Sequence, residues 1–172
     1  MVYLQRVTPE LVNTYIETGI QSYKQHYLHL WENENPAPYL SISFTLDVLK
    51  EELADENVEH YLVQVENTVI GIVKLIRDKG LDDYDAEAAL LIQKIYLLRE
   101  FSGKGYGEQL LVAIETYAKT LGKTLIWLDT MQKGKAIHFY LKNGFSIYKK
   151  SKLNLPHAIE EERPMWILIK TL

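Results

Sequence analysis

Apolar and polar side chains alternate over residues 2–7, the period of two that predicts a short strand. Thr8 and Pro9 follow, an N-cap residue and a residue suited to a first helical turn. Leu11, Val12, Tyr15, Ile16, Ile20 and Tyr23 then recur with a 3.6-residue period, predicting an amphipathic helix to about Tyr27. Residues 28–42 carry Pro36 and Pro38 and no clear period, so a loop is expected there. Residues 45–54 read as a second short helix with Thr45 as its cap. Two strands, 60–65 and 69–76, flank the hairpin turn Glu66-Asn67-Thr68. After an acidic loop over 78–87, residues 88–98 are almost wholly apolar, the pattern of a central strand buried on both faces.

Glycines punctuate the rest of the chain. A run at 102–107 opens an amphipathic helix over 106–121, which Gly122 ends. A strand over 124–130 and a helix over 135–143, ended by Gly144, come next. Residues 145–153 and 165–171 are the last two strands. The order is strand, two helices, three strands, helix, strand, helix, two strands. It predicts a mixed sheet flanked by helices, α/β or α+β in class, and one domain over residues 1–172 without linker or repeat.

Composition narrows the function. Of the 172 residues 47% are hydrophobic, enough for a real core, and none is cysteine. That removes disulfides, thiolate metal sites and a cysteine nucleophile. The first residues lack a signal-peptide pattern and no stretch reaches membrane-span length, so a cytoplasmic location is expected. The formal net charge is -4, and neither nucleic acid nor a membrane is an expected partner. Acidic residues cluster at 51–59, 78–87 and 160–162. They read either as solvated loops and helix faces or as attractors of a cationic substrate.

The run Ser102-Gly103-Lys104-Gly105-Tyr106-Gly107 sits between a buried strand and a helix start. Its glycines allow positive φ and close approach of a ligand, and the free N–H groups of the helix start face the same space. With the helix dipole and Lys104 they suit a phosphate or pyrophosphate. The dinucleotide fingerprint and the P-loop both fail on spacing. The run resembles the Arg/Gln-x-x-Gly-x-Gly/Ala motif of the GNAT superfamily of acetyltransferases, with Ser102 where Arg or Gln is usual. Downstream, residues 136–145 resemble the family's Ala-Ile-x-x-Tyr-x-x-x-Gly-Phe, with Lys133 where Asn is usual. Residues 92–97 and 125–128 resemble, more narrowly, the PaiA-like polyamine acetyltransferases.

The resemblance implies a mostly antiparallel mixed sheet and acetyl-CoA as cosubstrate. It implies a cosubstrate site made of Ile95, Tyr96, Leu97, Ser102, Gly103, Lys104, Gly105, Tyr106, Gly107, Lys133, Phe139 and Tyr140, with an oxyanion-binding N–H near Leu97. Tyr140 matches the family's acid. A thiol near 8.5 and a tyrosine near 10 make that proton transfer uphill by about 1.5 units, roughly 2 kcal/mol. The acceptor ammonium also needs a base, for which Glu87, Tyr96 and His138 are candidates. His26, His29, Trp31 and Tyr39 fall where the family holds substrate. Paired metal-ligand spacing and a hydrolase elbow are both missing, so no catalytic metal is expected. The expected activity is N-acetylation of a small primary amine, a polyamine among the choices. Acetylation of protein N-termini or lysines and a non-catalytic acyl-CoA sensor are the alternatives. Aromatic residues near the C-terminal strands, Trp166 among them, are compatible with a homodimer.

Overall fold

In a computed structural model describing residues 1–172, seven strands form one sheet. They are β1 (Tyr3–Arg6), β2 (Val58–Val65), β3 (Thr68–Ile76), β4 (Ala89–Leu97), β5 (Leu125–Met131), β6 (Ser146–Lys152) and β7 (Pro164–Thr171), in the order β1-β2-β3-β4-β5-β7-β6. All neighbours are antiparallel except β4 and β5. The expected hairpin joins β2 to β3, and Glu66 and Asn67 take left-handed φ of 49° and 66°, as a two-residue turn matched to strand twist requires.

Five α-helices cover the sheet: α1 (Val12–Tyr27), α2 (Ala37–Ser43), α3 (Leu46–Leu53), α4 (Tyr106–Thr120) and α5 (Ala136–Lys142). Thr45 caps α3, its Oγ1 accepting from the Val48 N–H at 3.2 Å. Thr8 is extended and caps through its carbonyl, which accepts from Leu11 N–H before a 3-10 turn leads into α1. One core lies under α4 and α5 and includes Val63, Ile70, Leu90, Leu110, Ile114 and Ile126. A second lies under α1 to α3 and includes Tyr15, Tyr23, Trp31, Phe44, Leu62 and Ile72.

Two expectations need correction. Residues 28–42 are not a loop. Two 3-10 turns, Leu28–Leu30 and Glu32–Glu34, lead into α2, and Pro36 and Pro38 stand at its start, where a missing N–H costs nothing. Each piece is too short to show a period. What fixes the segment is remote: Glu32 N–H donates to His157 O at 2.9 Å and Ile159 N–H to Leu30 O at 2.8 Å. The second correction concerns β4. Residues 89–92 are buried as expected, but Gln93 is exposed. Lys94 pairs with Lys74 and Ile92 with Leu75, so Gln93 is a bulge residue without a partner. The bulge bends β4, whose ladder with β5 ends at the Leu91–Trp127 pair. Beyond that pair the two parallel strands diverge.

Candidate active site

Where β4 and β5 part, a cavity of about 230 Å³ opens. Its walls are residues 92–96 of β4, residues 128–131 of β5, Tyr140 of α5, and Tyr23, Tyr27 and Tyr39 from the α1–α2 side. The open pair therefore gives access from both faces of the sheet.

On the α4 face lies the glycine run. Gly103 and Gly105 have φ of 73° and 81°, left-handed values that side chains resist, and no atom lies within 4 Å of where a Cβ would stand. Gly107 serves another end: a Cβ there would come within 3.0 Å of the Phe139 ring. The first two glycines shape an open turn, and the third lets α5 close on α4. The backbone N–H groups of residues 103–108 donate to no protein acceptor, since the first donor in this region is Gln109, to Gly105 O at 3.2 Å. They form a cradle of free donors at the start of a fifteen-residue helix, suited to a pyrophosphate. Lys104 stands beside it, its Nζ 5.5 Å from the Phe101 ring centroid. Ser102 contributes its N–H to Arg99 O at 3.0 Å, which holds the turn instead of the ligand space. Lys133 is exposed and pairs with Glu162 at 3.4 Å.

Through Phe139 the cradle sits one residue from Tyr140, which is buried at 8% exposure. The Tyr140 hydroxyl has no protein partner and faces the cavity. Burial, with the Tyr27 hydroxyl second, pushes its pKa well above the ordinary tyrosine value, so it stays protonated throughout the working range. The uphill cost expected for an ordinary tyrosine is therefore a lower bound.

The opposite wall is a cluster of tyrosines. Tyr23 stacks on Tyr39 with centroids 4.2 Å apart, and Tyr39 and Tyr96 share a 2.6 Å hydrogen bond between hydroxyls. Trp31, 1% exposed, lies behind them and donates its Nε1–H to the Tyr23 hydroxyl at 3.0 Å. His26 reaches from α1 to the end of β4, its Nε2 2.9 Å from Leu97 O. The neighbouring Arg99 N–H donates to Gln25 Oε1 at 2.8 Å. Of the four residues read as a substrate loop, Tyr39 lines the cavity, Trp31 and His26 support it, and His29 is exposed against Tyr27.

The candidate bases fare unevenly. Glu87 is exposed before β4, at the end where the ladder with β5 is closed. His138 is exposed on α5 and does not line the cavity. Tyr96 lines it, but burial drives its pKa far up, so it stays protonated and is disqualified as a base near neutrality. Two groups that sequence reasoning passed over do line it. Asp129 on β5 has its carboxyl pushed up by burial, against the hydroxyl of Ser151 and the charge of Lys149. Lys94 on β4 is 6% exposed, and burial first, then the nearby Lys74 ammonium, bring it down to about 7. Lys94 sits on a strand that reads as continuously apolar until the bulge at Gln93 is known.

A parallel strand pair that opens beside a helix start with free donors, with aromatic walls and a tyrosine at the opening, is suited to a phosphate-bearing group carrier. The chain belongs to the acetyltransferase (GNAT) family, whose pattern it matches over residues 21–145. As a member it is an acetyl-CoA-dependent acetyltransferase, and the donor cradle fits the phosphates of that cosubstrate. It is 27% identical over 118 residues, 68% of each chain, to an uncharacterised N-acetyltransferase of Lactobacillus delbrueckii subsp. lactis. It is 29% identical over 115 residues, 66% of this chain and 69% of the other, to one of Mycobacterium tuberculosis. Its fold is similar to that of the PaiA N-acetyltransferase of Thermoplasma acidophilum crystallised with coenzyme A (TM-score 0.77, 19% identity, 100% and 99% of the two chains). It is also similar to the spermidine/spermine N-acetyltransferase SpeG of Vibrio cholerae (TM-score 0.70, 18% identity, 99% and 92%). No helix is long and apolar enough to cross a membrane.

Proposed function

We propose that the enzyme acetylates the primary amine of a small molecule by direct attack within a ternary complex, with Tyr140 as the proton donor. One observation carries the reading: the helix start with free N–H groups at residues 103–108 packs, through Gly107 against Phe139, on the helix that sets Tyr140 at the opening between β4 and β5, while the tyrosine wall bounds that opening from the other face.

Acetyl-CoA brings a thioester-bound acetyl group and a thiol leaving group. The chain's own residues do the rest. Residues 103–107 and Lys104 bind the phosphates, and Phe139 fixes α5 against them. Ile95, Tyr96 and Leu97 line the diverging edge of β4, where a backbone N–H near Leu97 serves the developing oxyanion. Tyr140, protonated and desolvated, donates to the sulfur. Its raised pKa favours a hydrogen bond that strengthens as charge develops over an early proton loss. Asp129, the only carboxylate on the cavity wall, takes the ammonium proton directly or through water.

A cavity walled by α1 and α2 supports a small acceptor over a polypeptide. None of the three acidic segments lines it, so support for a cationic acceptor such as a polyamine reduces to Asp129 and the aromatic wall. Trp166 is half-buried and packs against the main core, so it offers a homodimer only part of its ring. A thiol-release assay with acetyl-CoA against polyamines, amino acids, aminoglycosides and peptides tests the proposal. Coenzyme A release with a small amine is expected. Stabilisation by acetyl-CoA without release by any amine would leave an acyl-CoA sensor instead.

A further inference from the structure

We propose that Lys94 binds an anionic group of the acceptor, so that the acceptor is a small amino acid, carrying a carboxylate near its primary amine, and not a bare polyamine. This rests on the acetyltransferase reading above and deepens it.

Lys94 lies on the wall of the cavity on the α1–α2 side, the face opposite the donor cradle. Its Nζ stands 5.8 Å from the ring centroids of both Tyr39 and Phe44. It makes no ion pair, and no protein acceptor takes its hydrogen bonds. The carboxylate on its own side, Glu52, is already engaged. Glu52 of α3 pairs with Lys74 of β3 and lies 2.7 Å from His60 Nε2 of β2. Burial raises the Glu52 carboxyl, but these two partners outweigh it and bring it to about 2. Burial keeps His60 neutral despite Glu52.

The groups facing Lys94 are thus Lys74, Glu52, His60, the hydroxyls of Tyr39 and Tyr96, and Asp129 across the cavity. Glu52 is committed to Lys74, and Asp129 across the cavity forms no ion pair with Lys94, so Lys94 has no counter-ion of its own. A buried cation without a counter-ion is costly, and one on a ligand-facing wall is matched by an anion the ligand brings. An acceptor with only ammonium groups would add like charge there. A zwitterion balances both walls at once, its carboxylate at Lys94 and its ammonium toward Asp129 on the strand that borders the thioester side. The tyrosines are left to the side chain, and a cavity of about 230 Å³ suits a molecule of that size.

Calorimetric titration of the coenzyme A-saturated protein with matched pairs tests this: tyrosine against tyramine, methionine against 3-(methylthio)propylamine, with spermidine alongside. In at least one pair the amino acid should bind about 10- to 100-fold tighter than its decarboxylated partner, the span of a charge-assisted hydrogen bond. In Lys94→Met that preference should vanish, while Lys94→Arg should retain part of it. At pH 8 amino-acid binding should take up a proton, seen as a dependence on buffer ionisation enthalpy that Lys94→Met removes. Equal or tighter binding of the amines or spermidine, no binding by any of the amino acids, or an equal loss for both members of a pair in Lys94→Met would each overturn the inference. Turnover separates the two readings. Coenzyme A release with spermidine alone sinks this inference and leaves the acetyltransferase reading standing. Lys94-dependent amino-acid binding without release by any amine does the reverse.

Discussion

Tyr140 and Lys94 meet the cavity from opposite faces of the sheet, and burial acts on them in opposite directions. Tyr140→Phe should lower kcat about 100-fold, the scale of a lost general acid, and leave the melting temperature unchanged because the hydroxyl has no protein partner. Single-turnover kinetics and thermal denaturation of the same preparation check both halves. For Lys94 the testable quantity is stability. Its folded value of about 7 lies below the ordinary 10.5, so between those limits the unfolded chain holds a proton that the folded one has released. Stability therefore rises with pH across that window, and the cost of the buried charge is fully present below it. Lys94→Met should melt higher than the parent at pH 6, with the gap closing by about pH 10 as both lose the difference. Tyr140 was legible in sequence because a motif surrounds it. Lys94 was not, because its meaning comes from Lys74, Glu52 and Tyr39, which lie on three other elements.

The three glycines of the run look alike in sequence and differ in what they do. Gly105→Ala should cost about 1 kcal/mol through left-handed backbone alone, since the space beside it is open. Gly107→Ala meets Phe139 and should weaken coenzyme A binding by moving α5 from α4. Urea denaturation and a coenzyme A titration tell the two effects apart. Coenzyme A should also slow amide exchange across residues 103–108 while leaving β1 to β3 unchanged, as mass spectrometry of exchanged peptides would show. Strands and long helices were readable because each repeats its period several times. α2 was not: it has seven residues, two prolines at its start and a position set by the 157–159 segment. The bulge at Gln93 was equally hidden, since only the register with β3 defines it.

The molecule divides its work along the sheet. At the end away from the cavity, Glu59 is 1% exposed and accepts from Tyr61 at 2.9 Å, from Tyr117 at 2.9 Å and from Arg6 at 3.0 Å, tying β1, β2 and α4 together. Glu59→Ala should destabilise by about 2 kcal/mol and leave KM values unchanged, because nothing in that network touches the opening. Denaturation and steady-state kinetics at a temperature well below melting check this. The mixed sheet was readable in sequence, and so was the glycine turn before α4 on which the proposed donor side rests, as local motifs in adjacent elements. The acceptor side was not, since its wall is gathered from α1, α2, β4 and β5 and no short motif spans them.

Where β4 and β5 separate, the sheet acquires two more borders in its interior, beyond those of β1 and β6. A strand border with unsatisfied amides invites pairing with another chain. β6 carries Lys149, Lys150 and Lys152, charges that discourage such pairing. The inner borders have mainly the apolar residues of the cavity wall. Bound cosubstrate then acts as a stopper as well as a reactant. The protein should be most prone to self-association when its cosubstrate is depleted, and light scattering during slow heating should fall as coenzyme A is added.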